Sequence, residues 1–229
     1  MSHRAGLACL VMLFALAAAP AQASAMGSAG DPLEAVNRAV FDLNQFLAKP
    51  VRRLSAKVER TVDPAVIQGL RNFLNNVAEP SVAVAYLAEG EVSQTRLALK
   101  RLILNTVGGP LGFRDVAAAE GLAQRPANLT DVLCHYGVPP GPYVVLPFYG
   151  GMTLRDLVAQ VATISAGYAA FGEIYLAYRI ASLTLGTLDR PGALQQVQFL
   201  DDGRPDPYAA TKAWQRMQAR ALCEPAGTR

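Results

Sequence analysis

A rigid stretch followed at once by a nearly uncharged one limits this chain more than any other feature. Between Gly137 and Gly151 eight of fifteen residues are Gly or Pro, a content that no helix or central strand tolerates. From Leu157 to Leu188 the only charges are Glu173 and Arg179. A helix of that length in water carries a charged face, so the scarcity predicts burial in a large core or contact with lipid. Hydrophobic residues at 52%, charged residues at 17% and a mean hydropathy of +0.20 point the same way.

The first residues set the compartment. His3 and Arg4 precede an apolar run from Leu7 to Ala19, and Ala21-Gln22-Ala23 has the small-x-small pattern of a leader peptidase site. Residues 1–25 therefore read as a signal peptide cut after Ala23 or after Ala25, with residues 26–30 as a linker. Without the leader, 20 Lys and Arg face 18 Asp and Glu, too small an excess for a nucleic-acid footprint. The densest basic group, Lys49, Arg52, Arg53 and Lys57 with Glu59 nearby, reads as a solvated helix face or a contact for anionic headgroups or a partner. No later segment reaches the roughly eighteen uncharged apolar residues of a simple span, so the apolar helices are expected to be embedded or packed rather than spanning.

Helix signals dominate the remaining chain. Asp31-Pro32, Asp63-Pro64 and Asp206-Pro207 each place an acidic cap before a proline suited to the first helical position. After the first, Leu33, Val36, Val40, Leu43 and Leu47 recur along one stripe up to Pro50, which is expected to end or bend the helix. After the second, Val66, Ile67, Leu70, Phe73, Leu74 and Val77 form an apolar face opposite Gln68, Arg71, Asn72, Asn75 and Asn76, with Pro80 as the predicted stop. A short helical piece over 81–89 and a helix over 91–106 follow, then one or two turns over 116–123. Tyr143 to Leu146 is expected to be extended between Pro142 and Pro147, 154–188 helical with a break near Gly167 or Gly172, and 208–222 a terminal helix. The fold class is all-α.

Several ordered motifs resemble one family. Asp31-Pro32-Leu33-Glu34 with Asn37-Arg38 comes first, then Leu70-Arg71-Asn72-Phe73 with Asn76 and Pro80, then Arg101 with Asn105-Thr106, Gly109, Gly112 and Asp115. Tyr136-Gly137, Gly141-Pro142-Tyr143, Leu146-Pro147, Gly150 and Arg155-Asp156 complete a pattern similar to the MlaA/VacJ family, and Asp206-Tyr208 with Gln215 resembles its terminal helix. The resemblance implies a membrane-embedded, ring-like bundle of amphipathic helices over 31–222, with 223–229 as a tail. It implies intermembrane phospholipid transport that removes mislocalised phospholipid from the outer leaflet of the outer membrane, with a trimeric porin and a soluble periplasmic lipid carrier as partners and the protein on the periplasmic side. Family members usually carry a lipid-bearing cysteine just after the leader; none stands between Ala19 and Gly30, so anchoring is expected to rest on the helices.

Asn105, Asp115, Tyr143, Pro147, Arg155 and Asp156 are the candidate channel or structural residues. The polar ones read either as caps and an ion pair that staple the Gly/Pro segment to the helices or as lining of a lipid path. Tyr143, Phe148 and Tyr149 suit either headgroup level or core. Cys134 and Cys223 could form one disulfide in an oxidising compartment, a pairing that spacing alone leaves open. Cys134-His135 offers a nucleophile and base, yet neighbours in sequence rarely face one another, and no paired-ligand spacing or phosphate-cradling loop is present. The expectation is a protein that is no enzyme, with no catalytic residue, cofactor or metal; a porin-binding envelope tether and a periplasmic lipid hydrolase are the rival readings.

Overall fold

The computed structural model describes residues 31–189 and 206–223. The expected leader, the linker and residues 224–229 of the tail lie outside them. Helix α1 spans Glu34–Thr61, α2 Pro64–Ala88, α3 Val92–Val107, α4 Val116–Ala119 and α5 Leu129–His135. Strands β1, Tyr143–Leu146, and β2, Gly150–Thr153, form an antiparallel hairpin with Tyr143 opposite Thr153. Then come α6, Leu154–Phe171, α7, Glu173–Asp189, and α8, Pro207–Leu222.

Two of the three Asp-Pro pairs cap as their sequence predicts: Asp63 accepts the Ala65 N–H and Asp206 the Ala209 N–H. Asp31 also accepts the N–H two residues on, that of Leu33 at 3.3 Å, but the regular helix α1 starts only behind Leu33, and the same carboxylate reaches into the interior, where the Tyr208 hydroxyl donates to it and Lys212 lies 2.9 Å away. Pro50 and Pro80 stop nothing either. Each denies an i−4 carbonyl its donor, a loss of about 3 kcal/mol in a helix interior, yet both helices continue. Beyond Pro80 lie Val82, Ala83 and Ala85, buried against Ala98, Ala127 and Val132, so a stop there would strip the larger apolar cluster. Beyond Pro50 the run is rich in Arg, Lys, Leu and Ala, which propagate helix well.

Helix α5 and strand β2 were not foreseen from the sequence. A capping box starts α5, Asn128 accepting the Thr130 N–H and Asp131 the Asn128 N–H. The hairpin closes over Pro147, Phe148 and Tyr149, and Phe148 takes a left-handed φ of 63° that its N–H bond to Asn44 holds in place. Helices α6 and α7 part at Gly172, whose φ of 61° falls in the region that favours glycine. Gly167 stays helical, and the Tyr175 ring of α7 fills the space a side chain there would need. A second apolar cluster joins Phe41 of α1, Tyr143 and Val145 of β1, and Tyr208 of α8.

Candidate functional site

The polarity of the helices is reversed from that of an ordinary water-soluble bundle. Four of the five largest fully buried side chains, Arg101, Glu79, Asn37 and Asp31, are charged or carry an amide. Of the expected apolar stripe of α1, Leu33, Val36 and Leu43 are exposed and Val40 and Leu47 half-buried, Val40 against the second apolar cluster, while Asn37 and Phe41 point in. On α2 Val66, Leu70, Val77, Val84 and Leu87 are exposed beside polar Gln68 and Asn75, and Asn76 and Glu79 are buried with Ile67, Val82, Ala83 and Ala85. On α3 Leu99, Ile103 and Val107 lie outside, the last 82% exposed, over buried Ala98, Arg101 and Asn105. Ile174, Ile180 and Leu183 continue the pattern on α7. Leaving this much large apolar surface in water is unfavourable by roughly 25 cal/mol per Å², and exposed apolar surface of this kind marks contact with a protein, a ligand or lipid. No helix among the described residues is long and apolar enough to cross a membrane.

Two polar networks hold the interior. In the first, Arg101 of α3 donates to Glu79 of α2 at 2.8 Å and to both Asp115 oxygens at 3.2 and 3.0 Å, and to the Leu122 carbonyl. Asn105 donates to Asp115 and accepts the Ala117 N–H, each within 3.0 Å. Asp115 also accepts the Ala118 N–H and so caps α4. Burial pushes the Glu79 carboxyl above the usual range against the pull of Arg101. At Asp115 burial also pushes upward, but the Arg101, Ala118 and Asn105 donors outweigh it and hold the carboxyl low.

The second network ties α1, β1 and α8 together. Asn37 donates to the Tyr143 carbonyl at 2.9 Å and to Asp31 at 3.1 Å, and accepts the Val145 N–H at 2.9 Å. It thus serves the outer edge of β1 as a strand would. At the rim Arg38 grips both Asp206 oxygens at 3.0 and 2.7 Å and bonds Glu34, which lowers the Asp206 carboxyl to about 2. Its guanidinium sits 4.4 Å over the Tyr208 ring. An open cleft of about 670 Å³ lies here, between the start of α1 and one face of α8.

The six residues singled out from sequence fall into separate places. Asn105 and Asp115 belong to the Arg101 network. Arg155 and Asp156 start α6: Asp156 forms a capping box with Thr153, and Arg155, 3% exposed, meets Cys134 Sγ at 3.3 Å, Cys223 Sγ at 2.8 Å and the carbonyls of Val138 and Ala219. Those two cysteines form a disulfide, with Cα atoms 5.1 Å apart, so the Cys134 sulfur is bonded rather than free to act as a nucleophile. Tyr143 is buried at 1% exposure, on the core side of its two open readings; Phe148, at 85%, is outside with Pro147. None of the six lines the cleft. Sequence reasoning missed Glu79, Asn37 as a ligand of β1, and the meeting of Asp31 with Tyr208 and Lys212. The available signal was a polar stripe on α2, Asn72, Asn76 and Glu79, as regular as the apolar one beside it.

Residues 29–221 match the profile of the MlaA lipoprotein family. The chain is 42% identical over 183 residues to the intermembrane phospholipid transport system lipoprotein MlaA of Shigella flexneri, covering 78% of this chain and 72% of that protein. The protein of the same name in Escherichia coli K12 is 42% identical over 131 residues, 55% of this chain and 52% of that protein. A solved structure described as the structural basis for maintenance of bacterial outer membrane lipid asymmetry superposes with a TM-score of 0.66 at 28% identity, covering 85% of this chain and 99% of that one.

Proposed function

The chain belongs to the MlaA lipoprotein family, and on that premise we propose that it transports phospholipid between membranes, removing molecules misplaced in the outer leaflet of the outer membrane. The observation that carries the reading is the reversed polarity: apolar lanes outside on α1, α2, α3 and α7, charges and amides inside. Such a body rests in a leaflet with its side chains against acyl tails, while polar groups within spare a headgroup the hydrocarbon. Transport of this kind makes and breaks no covalent bond, so the protein acts as a passage rather than an enzyme. A passive path has no direction of its own; a soluble carrier on the periplasmic side withdraws the lipid and a trimeric porin holds the passage in the membrane. The leader directs export and is removed after Ala23 or Ala25.

The test is chemical labelling of phosphatidylethanolamine on the surface of intact cells. Deleting the gene raises surface label, and the native chain restores it. Ile103→Glu with Val107→Glu, which put two carboxylates on the apolar outside of α3, leave the label high. A deletion that leaves surface label unchanged, or a purified mature chain that is monomeric in buffer without detergent and ignores vesicles, overturns the reading.

A further inference from the structure

The cleft between α1 and α8 is lined by more cations than carboxylates. Two lanes run along α8 at four-residue spacing, Lys212, Arg216 and Arg220 in one and Ala213, Met217 and Ala221 in the other. Both line the cleft, and Met217 is 61% exposed. From α1 the lining receives Arg38 and Glu34, so four cations face one carboxylate. Arg38 and Lys212 have structural duties, the first with Asp206 and Glu34 and the second with Asp31. Arg216 and Arg220 continue the cationic lane for one and two turns beyond those pairs, toward the disulfide end of the helix.

We propose that this cleft seats the phosphodiester of a glycerophospholipid, with Arg216 and Arg220 on the phosphate and the start of an acyl chain along Ala213, Met217 and Ala221. This rests on the transport reading and gives one headgroup a place on the path. The guanidinium is planar and matches phosphate oxygens two at a time. A cationic lane beside an apolar one has the polarity of the head-to-tail junction of an anionic amphiphile, and about 670 Å³ is within the range of small-ligand sites. Lys212, paired with Asp31 at 2.9 Å and with Glu34 at 3.9 Å, adds its ammonium charge to the same lane.

Photo-cross-linking in cells tests it, with p-benzoyl-phenylalanine at Met217 in the full chain and, separately, at Ile103 as a belt control. A phospholipid adduct is expected at 217, reduced at least about tenfold by Arg216→Glu with Arg220→Glu, as loss of charge-assisted bonds implies, and partly restored by the two Lys substitutions. The Ile103 adduct persists in the Glu variant, which shows that the chain is still folded and embedded. In membranes, short-chain phosphatidylglycerol displaces the 217 adduct and inorganic phosphate does not. Equal displacement by inorganic phosphate makes the ligand a free anion and overturns the proposal. So does a 217 adduct to lipid that ignores the Glu substitutions, or an adduct to protein alone. With the native arginines in place, absence of lipid at 217 with lipid present at 103 sinks the cleft and spares the transport reading, whereas absence of lipid at both sinks the transport reading itself.

Discussion

Replacing Asn37 with alanine is the sharpest test of how α1 is fixed to the hairpin. The side chain is 1% exposed and makes three bonds, to the Tyr143 carbonyl, the Val145 N–H and Asp31. Tyr143 and Val145 are buried themselves, at 1% and 4%, so water does not readily replace the amide. Truncation leaves one backbone acceptor and one backbone donor without partners. Each such group costs about 1–3 kcal/mol, and Asp31 keeps Tyr208 and Lys212, so the two backbone groups dominate. The expected loss is about 3 kcal/mol, a large share of the 5–15 kcal/mol that stabilises a typical domain. Urea unfolding of the mature protein in mild detergent, followed by circular dichroism, reads it as a lower midpoint at unchanged slope. Asn37→Asp retains the acceptor for Val145 but loses the donor to Tyr143 and sets a second carboxylate beside Asp31; it destabilises at least as much. A loss below about 1 kcal/mol for Asn37→Ala would refute the assignment of Asn37 as the partner of β1.

Three further outcomes follow from the geometry. Gly151→Ala puts a methyl group onto the Tyr143 hydroxyl and against Gln215; overpacking of this kind costs about 1–3 kcal/mol, visible as a lower melting temperature, and an unchanged one refutes the close approach. Cys223→Ser opens a loop closed over a separation of 89 residues, worth up to about 4 kcal/mol on chain entropy; mass spectrometry without reductant should find the bridge in the native chain, and two free thiols there would remove its basis. Asp206 titrates low because Arg38 and the Ala209 N–H bond its ionised form. That stability is complete above the unfolded carboxyl pKa of about 3.9 and is lost as pH falls toward about 2; being part-exposed it is worth about 1 kcal/mol or less. Asp206→Asn should therefore flatten the acid limb of the stability curve, and an identical limb sinks the argument.

The helices were legible because their signals are local: Asp63 and Asp206 cap as spaced, the Gly172 break lies where the sequence marked one, and the terminal helix starts at Pro207. Pro80 misled, and Pro50 does not end its helix either, because whether a helix survives proline depends on what lies beyond it. The facing of the stripes was the harder matter. Val66, Leu70 and Val77 are equally periodic whether they meet a core or a lipid tail, and periodicity alone does not say which side is in. The Arg101 cluster was half visible, since Asn105 and Asp115 were named, but Glu79 joins it from another helix across 22 residues. The Asp31 to Tyr208 contact spans 177 residues, and nothing local announces it.

That last contact orders events in time. Asp31 opens the described chain, and its hydroxyl and ammonium partners, Tyr208 and Lys212, stand on α8, the first of them 177 residues further on. Until they arrive, the carboxylate has only the Asn37 amide and the Leu33 N–H to meet it, while Asn37 already serves β1. The entry to α1 is therefore completed by α8, and the two ends of the described residues are fastened as one unit.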